Sequence, residues 1–228
     1  MKMRLAKPAG VDARRHFILS GASLMVVGAC GALMKAQAAQ ASPQPTVLVV
    51  GDSLSAEYGL RRGSGWVALL ADKALSEKQN FQVVNASISG DTTSGGRARL
   101  GALLTQHKPQ VVVIELGGND ALRGLPIKMT EDNLTQMVRA CQKAGARVLL
   151  VGMQVPPNYG AAYTEDFSRT FARVAAAEKT ALVPFLLKGI ADGPDAERLF
   201  QADRIHPREE AHPRMLANVW PELRRLLK

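Results

Sequence analysis

Cysteine is scarce in this chain of 228 residues: Cys30 and Cys141 are the only two. Two cysteines cannot build the disulfide framework on which small secreted scaffolds rest. Aromatic residues make up only 5%. No stripe of Lys and Arg interleaves with them, so nucleic acid is not an expected partner. Histidine is sparse too, with four in all. Asp203, His206 and His212 lack a recognised ligand spacing, so neither a metal nor another cofactor is expected. No internal repeat and no second linker divides the chain. Acidic residues number 20 against 29 basic ones, a formal +9, but residues 1–38 carry six of the bases and one of the acids. Without them the balance is +4. What is present is 46% hydrophobic residues, enough for one domain with a sizeable core.

Residues 1–38 read as an export signal. Basic residues lead into Arg14-Arg15-His16-Phe17-Ile18, and an apolar stretch of 18 residues runs from Phe17 to Met34. Lys35-Ala36-Gln37-Ala38 then supplies a small-x-small cleavage pattern. The Arg14-Arg15-x-Phe17-Ile18 order resembles the twin-arginine signal of bacteria. A general secretory signal is the plainer reading. Val27-Gly28-Ala29-Cys30 offers a lipoprotein signal with Cys30 lipidated, and an uncleaved anchor is a further alternative, since a span takes roughly 20 residues. Cleavage removes Cys30 and leaves Cys141 alone. Its helical setting predicts a buried, small apolar side chain. The expected product, residues 39–228, is periplasmic or secreted, and a monomer by default.

Apolar β-branched runs alternate with helical patterns. Strands are predicted at Val47–Val50, Phe81–Val84, Val111–Leu116, Arg147–Met153 and Leu182–Phe185. Helices are predicted at Trp66–Ser76, Thr93–Gln106, Glu131–Ala144, Asp166–Lys179 and Glu209–Leu227, the last bent or interrupted at Pro221. Strands apolar on both faces suit a parallel sheet covered by helices, and regular β-α alternation defines a doubly wound α/β domain. Ligands of such sheets bind beyond the carboxyl ends of the strands. Ser53, Gly90 and Asn119 each follow a predicted strand, so one crevice would hold all three.

Gly51-Asp52-Ser53-Leu54-Ser55 follows the first strand directly. A serine hydroxyl is a weak nucleophile without a base. His206 is the best candidate base, and Asp203, three residues earlier, would accept a hydrogen bond from its imidazole and stabilise the imidazolium. A turn with a capping serine, and a surface loop around residues 202–207, are the plain structural alternatives. An ester hydrolase also needs donors for a tetrahedral oxyanion. Gly90 lets backbone approach a substrate closely, and Asn119 offers a side-chain amide. Loop geometry alone would also explain both. The pattern is not the Gly-x-Ser-x-Gly elbow, since position 55 is serine.

These blocks resemble the GDSL/SGNH hydrolase family over nearly all of residues 46–228. The stretches Val49–Ala56, Val83–Thr92, Glu115–Gly124 and Val155–Gly160 are similar to the bacterial multifunctional acyl-CoA thioesterase I/protease I/lysophospholipase group. The resemblance implies a three-layer α/β/α, flavodoxin-like fold with a central parallel sheet of about five strands. It implies a metal-independent hydrolase of fatty acyl esters and thioesters, including arylesters, acyl-CoA and lysophospholipids. Ser53 would be nucleophile, His206 base and Asp203 its orienting acid. The Ser53 and Gly90 N–H groups and the Asn119 side chain would form the oxyanion hole. Residues 120–126 correspond to a loop that moves on acyl binding in that group, which places Asp120 and Leu122 near substrate. Met153, Val155 and Pro156 are expected along the acyl chain, with core packing as the alternative.

Two positions depart from the family. Glu57 stands where relatives carry a small residue, to disfavour anionic substrates or to face solvent. Arg204 stands where glycine is common, and needs a loop that tolerates its Cβ. It would attract a substrate phosphate or carboxylate, or lie solvated. Two other functions compete: a carbohydrate O-deacetylase using the same chemistry, and a non-catalytic envelope binding module on the same fold.

Overall fold

The computed structural model describes residues 44–228. The expected export segment, with its twin-arginine, lipoprotein and anchor readings, lies outside the described residues. The elements alternate as predicted. They are β1 (Thr46–Gly51), α1 (Trp66–Ser76), β2 (Gln82–Asn85), α2 (Thr93–His107), β3 (Val111–Glu115), α3 (Gly118–Leu122) and α4 (Ile127–Lys143). There follow β4 (Arg147–Val151), α5 (Ala161–Ala177), β5 (Ala181–Val183), α6 (Ala196–Leu199) and α7 (His212–Leu226).

All five strands are parallel, in the order β2-β1-β3-β4-β5. Helices α1 and α7 pack together on one face, and α2, α4 and α5 on the other. This is the three-layer α/β/α fold that the alternation predicts. It explains the unbroken apolar runs: Val47 to Val50 and Val111 to Ile114 are wholly buried because helices cover both faces. Each such side chain contributes about 1.5–3 kcal/mol by leaving water. The strand order reverses direction between β1 and β3, and their carboxyl ends open a crevice at that switch point. Gly51 pairs with Glu115 in the register there, so the loops after both strands leave from one level.

Several boundaries differ from expectation, each for a physical reason. Helix α4 begins at Ile127 rather than Glu131, because its first inward positions, Thr130 and Asn133, are polar yet buried. Helix α5 begins at Ala161, straight after Gly160, whose φ is +93°. Strand β4 ends at Val151, where Gly152 turns its N–H to the Val183 carbonyl at 2.8 Å. Helices α3 and α6, of five and four residues, are too short to show a period. Pro221 does not interrupt α7. The hydrogen bond it forgoes would have gone to Ala217. Both residues are exposed, so water meets that carbonyl, while Met215, Val219 and Leu223 hold the opposite face in the core. Cys141 is wholly buried and its thiol is pushed up to about 12. Among the described residues no helix is long and apolar enough to cross a membrane.

Candidate active site

Ser53 sits in the turn that leaves β1, and Asp52 shapes that turn. The Asp52 carbonyl accepts the N–H groups of Ser55 at 3.2 Å and Ala56 at 2.9 Å, and its Oδ1 accepts Leu54 N–H at 3.0 Å. His206 comes from the other end of the chain, in the loop before α7. Its Nε2 lies 2.8 Å from Ser53 Oγ, and its Nδ1 lies 2.7 Å from Asp203 Oδ2. Asp203 Oδ1 accepts the N–H groups of Ile205 at 2.9 Å and His206 at 3.0 Å. One carboxylate thus fixes both the backbone and the ring of the histidine. Partial burial acts to raise the Asp203 pKa, but the His206 and Ile205 donors outweigh it and hold the value down at about 2. The Tyr58 ring lies over the imidazole, with centroids 4.3 Å apart.

Asn119 lies in the first turn of α3 and donates one amide hydrogen to Asp52 Oδ2 at 3.0 Å, which leaves the second free. Gly90, in the loop after β2, has φ +79°, a conformation that a side chain would strain. Its carbonyl accepts from Arg123 Nη2 at 2.8 Å. The N–H groups of Ser53 and Gly90 meet no acceptor among the described residues. The structure therefore brings Ser53, His206 and Asp203 into one hydrogen-bonded relay. Asp52 joins Asn119 to it, and the Arg123 bond ties the Gly90 loop to α3.

The outer residues fall differently. Asp120, expected beside substrate, is wholly buried. It accepts from Thr93 N–H at 2.9 Å, from the Thr93 hydroxyl and from the Thr130 hydroxyl at 3.3 Å. It locks α2, α3 and α4 together and has no face left for a ligand. Leu122 is exposed on the same helix. Met153 and Val155 belong to the buried core, whereas Pro156 is exposed. Glu57 neither faces solvent freely nor screens the site. Its φ is +59°, and its carboxylate accepts Gly63 N–H at 3.1 Å and Gly65 N–H at 2.9 Å, closing the loop before α1. Arg204 is exposed at φ +57°, so this loop carries its Cβ in the left-handed region that favours glycine.

Sequence reasoning missed a buried acid pair behind the nucleophile. Asp52 is 2% exposed and Glu115 not at all. Burial first, and the Asp52 charge second, push Glu115 well above the ordinary carboxylate range. Burial raises Asp52 to about 6, against the opposing pull of Leu54 N–H, Asn119 and His206. The signal was present: Glu115 is the one charged residue in an otherwise apolar strand. His212 was also missed as a structural group. Its Nδ1 accepts Trp66 N–H at 3.0 Å, which caps the start of α1 and keeps it apart from any ligand set with Asp203 and His206.

A doubly wound α/β domain with a Ser–His–Asp relay and amide donors at its switch point defines the serine-hydrolase class. Within that class, the sequence profile of the GDSL-like lipase/acylhydrolase family matches residues 49–214, and the chain belongs to this family. Esterase TesA of Pseudomonas aeruginosa is 51% identical over 213 residues, covering 93% of this chain and 100% of that protein. Thioesterase 1/protease 1/lysophospholipase L1 of Escherichia coli K12 is 43% identical over 174 residues, 76% of this chain and 81% of its own length. A crystal structure of TesA superposes with a TM-score of 0.76 at 55% identity, covering 79% of this chain and 99% of that one. The chain is an ester hydrolase acting on small-molecule esters.

Proposed function

We propose that Ser53 is the nucleophile of an exported hydrolase of fatty acyl esters and thioesters. One observation carries this reading: Ser53 Oγ lies 2.8 Å from His206 Nε2, whose other nitrogen is held by Asp203 at 2.7 Å. His206 takes the Ser53 proton as Oγ bonds to the acyl carbonyl carbon. The oxyanion is met by the Ser53 and Gly90 N–H groups and the free Asn119 amide hydrogen. The protonated His206 then gives its proton to the departing alkoxide or thiolate, leaving an acyl-enzyme. Water, deprotonated by His206, attacks that ester, and the collapse releases the carboxylic acid and restores Ser53.

The names of the relatives favour acyl esters and thioesters over sugar acetates, including the lysophospholipid class. So does the surface around the site. Tyr58, Ile88, Leu122 and Ile205 are exposed, and they lie in the segments that carry Ser53, Gly90, Asn119 and His206. Large apolar side chains there suit a long-chain substrate. Residues 1–38 are read as the signal that exports the enzyme, which then works as a periplasmic or secreted monomer.

Hydrolysis of p-nitrophenyl esters from acetyl to palmitoyl, beside Ser53→Ala, tests the assignment. The expected result is turnover that persists into medium and long chains and falls at least about 10³-fold in the variant. Turnover confined to acetyl would favour the deacetylase. A folded parent with no Ser53-dependent turnover would favour the binding module.

A further inference from the structure

Beneath the nucleophile turn lies a hydrogen-bond system that the reaction steps above do not use. Glu115, wholly buried at the end of β3, lies under Gly51. A Cβ on Gly51 would sit 2.8 Å from Glu115 Oε2, so only glycine lets the carboxyl in. Oε2 accepts from Ser55 Oγ at 2.7 Å and from Asp52 N–H at 3.4 Å. Ser55 Oγ itself accepts the Trp66 indole N–H at 3.2 Å, so its own hydrogen is free to point at Glu115. Glu115 Oε1 has no hydrogen-bond partner among the described residues. A buried carboxylate with one oxygen unpaired is far more costly than the neutral acid.

Asp52 differs. Its two oxygens are divided between the two parts of the site, Oδ1 on Leu54 N–H beside the nucleophile and Oδ2 on the Asn119 amide. The charged groups acting on it are His206 from the loop before α7 and Asp91 from the loop after β2. Asp91 is itself paired at 2.8 Å with Arg99 of α2, whose guanidinium also reaches the Gly51 carbonyl at 3.5 Å.

We propose that Asp52 and Glu115 share one proton and one charge. Glu115 keeps the proton, Asp52 keeps the charge, and charged Asp52 positions the Asn119 amide for the oxyanion. Both carboxyls are buried, so a charge on Asp52 disfavours a second on Glu115. The proton settles on Glu115, whose two donors crowd one oxygen and leave the other unpaired, and the charge settles on Asp52, which has a donor on each oxygen. Burial raises the pKa of both acids. Asp52 is thus a positioning residue. It touches no reacting atom, yet it spans the nucleophile turn and an oxyanion donor.

The inference rests on the ester-hydrolase reading of the site, and its first test does not depend on turnover. Infrared spectra of the full chain at about pH 7, with glutamate carboxyls isotope-labelled, should show a protonated-acid band that moves with the label. Absence of a glutamate acid band overturns the proposal, whether or not any variant folds. In kinetics, Asp52→Asn should lower kcat about 10- to 100-fold and KM by less than about threefold, and should remove one ionisation from the acid side of the kcat profile. Glu115→Leu should lower kcat about tenfold, and Glu115→Gln, which reproduces the neutral acid, should restore most of it. A folded Asp52→Asn protein with parental kcat, or Glu115→Gln no better than Glu115→Leu, would overturn it. A parent inactive on every ester would instead sink the functional reading and leave the infrared result standing.

Discussion

Asp203 holds three groups within one short turn: the N–H groups of Ile205 and His206, and the His206 ring. Asp203→Asn keeps the shape but loses the charge that supports the imidazolium. A fall in kcat of about 10²- to 10⁴-fold with little change in KM is expected. Its pKa of about 2 lies below the unfolded value of about 3.9. The carboxylate therefore adds stability above that unfolded value, and the contribution is lost as pH falls through about 2. Acid denaturation should accordingly separate parent from Asp203→Asn near neutrality and bring them together toward the folded value. The residues of the relay, and Gly90 and Asn119 beside it, were legible because most follow a strand directly, where short polar motifs stand out. Asp120 was misjudged for the same reason. Its neighbour Asn119 faces the crevice, and nothing in the sequence shows that one step along a short helix turns the side chain into the core.

Helix α1 starts at Trp66 without a side-chain cap from Gly65, and His212 supplies the missing acceptor from the first turn of α7. Burial lowers the His212 pKa, in keeping with a neutral ring that accepts at Nδ1. His212→Ala would leave the buried Trp66 N–H unpaired, and a loss of about 1–3 kcal/mol in chemical denaturation is expected, with kcat little changed in the fraction that stays folded. Arg123 acts between elements in another way, by holding the Gly90 carbonyl from the end of α3. Arg123→Ala should lower kcat severalfold with native thermal stability, since an exposed bond contributes little to folding while oxyanion donors must be held in place. The cores of α1 and α2 were readable from apolar spacing. The start of α4 was not, because Thr130 and Asn133 are buried for their hydrogen bonds and apolar periodicity does not register them.

At the scale of the whole domain, strand order decides where the chemistry can occur. Alternation alone does not place β1 between β2 and β3; the flavodoxin-like fold that the family resemblance implies does. The ladder that sets Gly51 against Glu115 is a long-range choice made by packing. One consequence is a pH dependence of stability. The folded Glu115 carboxyl binds its proton more tightly than the unfolded one, so folding takes up a proton above about pH 4.3. Stability then falls as pH rises through the window between the unfolded and folded values. Replacing Glu115 by Gln removes that uptake. Denaturant midpoints from about pH 5 to pH 9 should therefore decline more steeply in the parent than in Glu115→Gln.

Trp66 is one of two tryptophans in the chain, and its two hydrogen bonds reach opposite ends of the sequence. The indole donates to Ser55 in the nucleophile turn, and the backbone N–H donates to His212 at the head of the last helix. Its fluorescence is therefore a built-in optical reporter. Emission from this wholly buried ring can stay native only while the first turn and the last helix are both docked.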